Sequence, residues 1–176
     1  MALIAEDGTG VLNADTYASL ATILAYWEKR AHDDLQAQWI EGSEAEREGA
    51  AREATAWLDA VFGRFYLGHR RGYVQGLQWP RLGAVDALGF DLPNLPQCLI
   101  DACCELAARA LVERLSEDAD VDGVRSEEMI KVGPITESVS YARVRRQERY
   151  GYVVEMLGPI LNGNQTPAAA SHWNWR

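Results

Sequence analysis

A helical repeat of apolar residues in the middle of the chain constrains the fold more than any other feature. Between Leu99 and Leu115 apolar side chains recur at steps of three and four, and charged side chains take the positions between them. This spacing gives a long helix with one wide apolar face, which other elements must cover. Pro96 suits the first helical position, because its φ is already set and it has no N–H to leave unpaired, so Asn94 or Leu95 is the expected cap.

Three further helices are predicted around this one. The first covers residues 19–30, and residues 31–42 are interpreted as a linker. The second, 43–63, opens with a capping box of Ser43 and Glu46 and stops near a glycine. The last covers 143–161, with a Gly-Pro pair near its end that kinks or terminates it.

The chain is long enough to bury its own core. With 176 residues, of which 48% are hydrophobic, one domain is expected. We predict a mainly α, four-helix bundle-like single domain over 1–161, with a long irregular loop and one β-ribbon or extended loop. Residues 162–176 are predicted to form an extended C-terminal docking tail.

Three shorter stretches are interpreted as turns or extended chain. Residues 1–14 form an arm whose Gly8-Thr9-Gly10 is a plain turn, because the third glycine and the lysine of a phosphate loop are missing. Residues 116–125 form a solvated acidic turn, since a calcium loop would need a glutamate where Met129 stands. Residues 126–141 alternate around a Gly-Pro break and predict a ribbon, which alone is only marginally stable.

Helical periodicity fails between residues 64 and 93, where arginine, glycine and aromatic residues interleave. Long irregular segments in compact domains are usually binding segments or disordered, and this one carries too much apolar surface to remain in water. Arginine beside aromatic rings is also typical of single-strand binding, which stacks bases on rings along a basic groove. Because the stretch lacks strand alternation and its surroundings are acidic, a protein-binding segment is favoured.

The charge of the chain is strongly negative but uneven. Its net charge is −9, which argues against holding nucleic acid by the overall field. Residues 1–63 contain 12 acids and 4 bases, whereas 64–81 contain four arginines and no acid. The second stretch is therefore either a solvated loop or a surface that meets an acidic partner.

No constellation of catalytic or metal-binding residues is apparent. The three histidines are scattered, and no nucleophile elbow or acid–base pair stands out, so we expect no enzyme activity and no cofactor. Cys103 and Cys104 are expected to be small buried hydrophobes in a reducing compartment. The opening residues do not resemble a signal peptide and no apolar run could span a membrane, so the chain is expected to fold in a cytoplasm.

The end of the chain carries two tryptophans within its last four residues. Such a tail either folds back on its own core or docks into another protein, and Trp and Arg are the usual interface anchors, so docking is preferred. The predicted partner-binding residues lie in the irregular loop, the ribbon and the tail: Arg70, Arg71, Trp79, Arg81, Lys131, Trp173, Trp175 and Arg176.

Several motifs resemble a family of tailed-bacteriophage proteins that lie between portal and tail. Its members are often labelled putative DnaT-like single-stranded-DNA-binding proteins, and their fold resembles that of head-to-tail connectors, also called adaptor or head-completion proteins. The resemblance covers about residues 1–161. It rests on Glu6-Asp7-Gly8-Thr9-Gly10, Tyr17, Leu77-x-Trp79-Pro80-Arg81, the glycine-rich loop to Pro96, Ala102-x-x-Glu105-Leu106-Ala107 and Lys131-Val132-Gly133-Pro134-Ile135.

This resemblance implies a structural virion protein at the neck of the phage, assembled in the host cytoplasm. The subunit would form a homo-oligomeric ring, with twelve copies expected, that binds the portal protein and a tail or tail-completion protein. Genomic double-stranded DNA would pass through its channel without sequence-specific binding. The alternative is a DnaT-like single-stranded-DNA-binding replication protein.

Overall fold

The computed structural model describes residues 2–115, 128–132, 135–139 and 150–162. The protein is mainly α, as predicted. Five α-helices lie in these ranges: α1 Leu20–Glu28, α2 Asp34–Glu41, α3 Glu44–Phe62, α4 Gln97–Val112 and α5 Gly151–Leu157, which continues into a 3₁₀ turn, Gly158–Ile160. Two antiparallel strand pairs accompany them: β1 His69–Arg70 with β2 Arg81–Leu82, and β3 Glu128–Val132 with β4 Ile135–Val139.

Side-chain caps set the starts of the first three helices. The Ser19 hydroxyl accepts the N–H of Thr22 at the start of α1. The capping box of Ser43 and Glu46 is formed as predicted, with the Glu46 carboxylate accepting the Ser43 N–H at 2.9 Å. These contacts pair backbone donors that the helix itself leaves unpaired.

Helix α2 corrects the prediction of a linker over 31–42. The Asp33 carboxylate accepts the Leu35 N–H at 2.9 Å and caps a helix within the predicted linker. The helix is held by tertiary packing, since Trp39 is fully buried in the core.

The start of α4 also differs from the prediction by one residue. Pro96 is itself the N-cap, with an extended ψ of 138°, so the helix begins at Gln97 and neither Asn94 nor Leu95 caps it. A proline has no side-chain acceptor for the first N–H groups. The cap thus supplies a fixed φ and no side-chain hydrogen bond, while its carbonyl accepts the N–H groups of Leu99 and Ile100.

Helices α3 and α4 form the centre of the molecule and share its most extensive helix contact. Small side chains on both helices are completely buried, which lets the two backbones approach closely. Helices α1, α2 and α5 pack against α4. The fully buried large side chains of this core are Trp27, Trp39, Trp79, Tyr17, Phe62, Ile23, Leu58, Leu99, Leu106, Leu115, Leu157 and Ile160.

One buried carboxylate in α4 is compensated within the fold. Glu105 accepts the Tyr26 hydroxyl at 2.7 Å and a guanidinium N–H of Arg109 at 3.1 Å. Because a buried charge without partners is very costly, these contacts let an acidic residue occupy the core side of the helix.

The predicted ribbon and the end of the last helix are confirmed. Strands β3 and β4 pair in register from Glu128 with Val139 to Val132 with Ile135. Helix α5 ends at Leu157, directly before the Gly-Pro pair. The first part of the predicted 143–161 helix, the acidic turn at 116–125 and the tail beyond residue 162 lie outside the described residues. No helix in the described ranges is long and apolar enough to cross a bilayer.

Candidate functional site

The stretch between α3 and α4 is more ordered than its sequence suggests. It is largely irregular, as predicted, but it contains two successive hairpin-like turns. Strands β1 and β2 pair His69 with Leu82 and Arg70 with Arg81, and a bridge joins Val85 to Asp91. We call the two tips tip A, residues 71–76, and tip B, residues 86–90.

The loop is anchored to α3 through the partly buried carboxylate of Asp59, at residues just after tip A. Asp59 accepts the Tyr17 hydroxyl and, at 3.0 Å, the Gln78 N–H, while the Trp79 N–H donates to the Tyr17 oxygen at 3.2 Å. Burial raises the pKa of Asp59 from 3.8 to about 6, although both hydrogen bonds oppose the shift. Burial, with the nearby Asp59 charge, also raises the pKa of Tyr17 well above its ordinary value. The network joins the N-terminal arm, α3 and the loop.

Arg81 braces the loop from inside. Its guanidinium donates to the carbonyls of Leu67 at 2.7 Å, Gly68 at 2.8 Å and Gln78 at 3.4 Å. Burial lowers the pKa of Arg81. Arg81 was predicted to bind a partner. In the structure its guanidinium donates hydrogen bonds to three backbone carbonyls of the loop itself.

Gln75 holds the inner side of tip A. Its buried amide donates to the carbonyls of Leu77 at 2.8 Å and Pro80 at 3.0 Å, and its side-chain oxygen accepts the Gly72 N–H at 2.8 Å. Arg70 donates to the Gln75 carbonyl. These contacts fix the shape of a loop with little regular structure of its own.

Trp79 lies in the core and not on a surface. Its side chain is fully buried, edge-on to Tyr66 with the ring centroids 6.0 Å apart, and its peptide bond to Pro80 is cis. We therefore remove Trp79 from the partner-binding residues, because a side chain without exposed surface cannot contact a partner in this conformation.

The most exposed apolar side chains of the loop lie at its two tips. At tip A, Tyr73 is 96% exposed and Val74 67% exposed, next to the exposed Arg70 and Arg71. The Arg71 guanidinium donates to the Gly8 carbonyl at 3.4 Å, so the N-terminal arm supports this tip.

Tip B presents a second apolar pair. Leu88 is 82% exposed and Phe90 is 67% exposed. The Asp86 carboxylate accepts the N–H groups of both residues, at 2.9 and 2.8 Å, which fixes the turn. Sequence reasoning missed Tyr73, Val74, Leu88 and Phe90 as surface candidates. In the sequence these apolar residues stand between turn-forming residues. This pattern fits exposed side chains at the tip of a turn, but it fits buried side chains equally well.

The Gly-x-Gly segment of the arm is a turn, as predicted, and the structure shows why it cannot hold a phosphate. The buried Glu6 carboxylate accepts the N–H groups of Gly8 at 2.9 Å, Gly10 at 2.9 Å and Val11 at 3.0 Å. Both glycines have positive φ, 90° and 91°, which converges their N–H groups on the carboxylate. The donors that could bind an anion are thus already occupied.

A groove of about 520 Å³ opens on the other half of the molecule, between α2, α3 and α4. We call it the acidic groove. Its rim carries Glu41, Glu46 and Glu53, and its apolar lining includes the partly buried Leu111 and the 56% exposed Val112. Hydrogen bonds from Ser43 lower the pKa of Glu46. Glu53 accepts the Leu115 N–H at 2.8 Å.

The remaining candidates are placed only in part. Lys131 lies on β3 opposite Thr136, and its predicted contact with a partner stays a prediction. Trp173, Trp175 and Arg176 lie outside the described residues. In the described ranges, no group of three or more His, Cys, Asp or Glu side chains is arranged to hold a metal ion.

Two cysteines of α4 are buried, as predicted. The Cys103 sulfur lies 3.4 Å from the Thr55 hydroxyl and 3.8 Å from that of Thr16. Burial raises the thiol pKa of both Cys103 and Cys104, so both remain protonated and unreactive.

The fold is thus a helical body with a loop that internal hydrogen bonds hold in place. The exposed apolar side chains at the two tips of this loop form a surface on which another molecule can bind. The chain belongs to the family described as "Putative DnaT-like ssDNA binding protein", whose model matches residues 1–172. No curated protein and no solved structure matches the chain significantly.

Proposed function

We propose that this chain is a structural virion protein whose copies form an adaptor ring between the portal and the tail of a tailed bacteriophage. In this proposal it acts at the neck of the particle and is not an enzyme. The ring would bind portal on one side and a tail or tail-completion protein on the other. Twelve copies would surround the channel through which genomic double-stranded DNA passes.

The observation that carries the proposal is the pair of exposed apolar tips on an internally braced loop. Tyr73, Val74, Leu88 and Phe90 are each at least two-thirds exposed. Exposed apolar groups concentrated in one segment are typical of protein interfaces, and aromatic residues are frequent anchors there. Bracing by Arg81 lowers the conformational entropy that such a loop would lose on docking.

The charge of the chain supports a role around DNA that does not involve holding it. Acidic residues dominate α2 and the start of α3, and the net charge is −9. Such helices, repeated around a channel, would repel the phosphates of a passing genome.

The proposal is tested by mixing the purified chain with portal protein and measuring the mass of the complex. We expect Tyr73→Ser with Leu88→Ser to weaken portal or ring contacts, because both side chains are exposed and lack a role in the core. Tyr152→Ser is the matched control, since this half-exposed aromatic lies in the first turn of α5 and belongs to neither tip. If the double variant and the control bind portal equally well, the tips are not the contact surface.

A second candidate is a DnaT-like single-stranded-DNA-binding replication protein. The family description favours it, and so does the position of Tyr73 beside Arg70 and Arg71, which could stack a base next to a phosphate contact. The two candidates separate by fluorescence anisotropy with a labelled single-stranded oligonucleotide. Micromolar or tighter, salt-sensitive binding that Tyr73→Ser removes would establish the second candidate and refute the first.

A further inference from the structure

Tip A combines positive charge with exposed apolar surface. Arg70 and Arg71 are exposed, and each donates to one backbone carbonyl, whereas a guanidinium has five N–H donors. Neither forms an ion pair with an acid in the described part of the chain, where Arg52 and Arg109 form the ion pairs. Tyr73 and Val74, which follow these arginines in the sequence, are 96% and 67% exposed.

The acidic groove has the complementary chemistry. Its rim is acidic through Glu41, Glu46 and Glu53, and Leu111 and Val112 add apolar surface to its lining. Its volume of about 520 Å³ is within the range of sites that enclose several side chains. A tip that combines exposed arginine with an exposed aromatic ring therefore matches this groove in charge and in apolar surface.

The two surfaces lie at opposite ends of the longest helix. The groove uses residues 46–53 in the first half of α3, while Asp59 near its other end anchors the loop at Gln78. At 1.5 Å per residue, Glu46 and Asp59 are about 20 Å apart along the helix. The surfaces are thus held apart within one chain, and they are different from each other, as a head-to-tail contact requires.

Gly49 keeps the groove open. It lies inside α3, lines the groove, and a Cβ built there would meet nothing within 4 Å. Glycine in a helix interior costs about 1 kcal/mol relative to alanine. The fold does not need a glycine here for space or for φ, whereas a longer side chain would project into the groove.

We propose that tip A of one copy docks in the acidic groove of a second copy, head to tail. This inference rests on the proposed ring assembly and names the two surfaces that join neighbouring subunits. A heterologous contact of this kind closes into a ring when the rotation from one subunit to the next divides 360° into a whole number of steps. Its ionic component weakens as salt rises, because the rim charges are partly exposed.

Complementary variants test the pairing. One chain carries Arg71→Ser with Tyr73→Ser, and the other carries Glu41→Lys with Glu53→Gln, where the Gln oxygen can still accept the Leu115 N–H. Each variant alone is expected to lose at least about tenfold in self-association affinity, measured by light scattering on a sizing column. Mixed together they are expected to form a dimer that grows no further. The intact tip of the groove variant docks in the intact groove of the tip variant, and only the altered tip and the altered groove are left free.

Controls separate this effect from general charge changes and from misfolding. Lys29→Glu and Glu28→Lys reverse exposed charges on and next to α1 and should assemble like the wild-type chain. Gly49→Gln should abolish assembly by filling the groove while it keeps or raises the melting temperature, since glutamine is a good helix former. This variant distinguishes a blocked groove from a damaged fold.

The possible outcomes have different meanings. Wild-type-like oligomers in both double variants would overturn the proposed pairing and leave ring assembly by another surface intact. If the wild-type chain assembles only on portal, the same comparison is made on portal-bound complexes with the same expectations. A chain that stays monomeric with and without portal would refute both proposals. If the wild-type chain and the groove variant bind single-stranded DNA and the tip variant does not, tip A is a nucleic-acid-binding surface. That result would overturn the proposed docking of tip A in the acidic groove.

Discussion

Replacing Asp59 with asparagine should change how the stability of the protein depends on pH. Burial raises the pKa of this carboxyl from 3.8 to about 6. A group whose pKa is raised by folding contributes stability that is present below its unfolded pKa and is lost as pH rises through the folded pKa. The relevant window is therefore about pH 4 to 6.

The magnitude follows from the size of the shift. At 1.36 kcal/mol per pKa unit, a change of about two units corresponds to about 3 kcal/mol. Asparagine resembles the protonated acid and does not titrate. The free energy of unfolding of the wild-type chain, minus that of Asp59→Asn, is expected to fall by about 3 kcal/mol between pH 4 and pH 7.

Urea titrations at several pH values, followed by tryptophan fluorescence, measure this difference. Glu28→Gln, at an exposed acid at the end of α1, is the matched control and should give a constant difference. A constant difference for Asp59→Asn, or one that rises with pH, would refute the reasoning. It would mean that the hydrogen bonds from Tyr17 and Gln78 stabilise the carboxylate more than burial destabilises it.

Three other substitutions test the architecture of the loop and the arm. Trp79→Ala should lower the free energy of unfolding by about 3–5 kcal/mol in urea titration because it empties a core site, whereas Tyr73→Ala should change it by less than about 0.5 kcal/mol; equal effects would contradict the assigned burial. Arg81→Lys should lower the free energy of unfolding by about 1–3 kcal/mol, because one ammonium group cannot reach the three carbonyls that the guanidinium joins. The rate of hydrogen exchange of the loop amides should rise in the same variant. Glu6→Ala should lower the melting temperature by several degrees, because the N–H groups of Gly8 and Gly10 lose their acceptor, and an unchanged melting curve would show that water replaces the carboxylate at no cost.

The sequence predicts best those parts of the fold that local signals determine. The capping box at Ser43 and the apolar repeat of α4 both depend on residues within one or two turns, and both are formed. Helix α2 was missed because Asp33 can end one helix or cap the next. The second role is the one observed, because Trp39 in the new helix is fully buried against elements that are distant in the sequence.

The candidate surface was harder to predict, because distant contacts decide which aromatic residue faces solvent. Trp79 and Tyr73 both stand in a glycine-rich stretch, yet one is fully buried and the other almost fully exposed. Asp59 and Tyr17, far away in sequence, hold the backbone at Trp79 and so determine the outcome. Strands of two residues, such as β1, are also too short to show alternation.

The hydrogen bonds between the N-terminal arm and tip A have a practical consequence for expression and engineering. Arg71 bonds to the Gly8 carbonyl, and the Gly76 N–H donates to the Val11 carbonyl at 3.2 Å. Shortening the arm, or crowding it with a bulky purification tag, would therefore alter the presentation of Tyr73 without changing any residue of the loop. Assays of this surface should place affinity tags elsewhere, since an apparent loss of binding could otherwise originate at Gly8, 63 residues before Arg71.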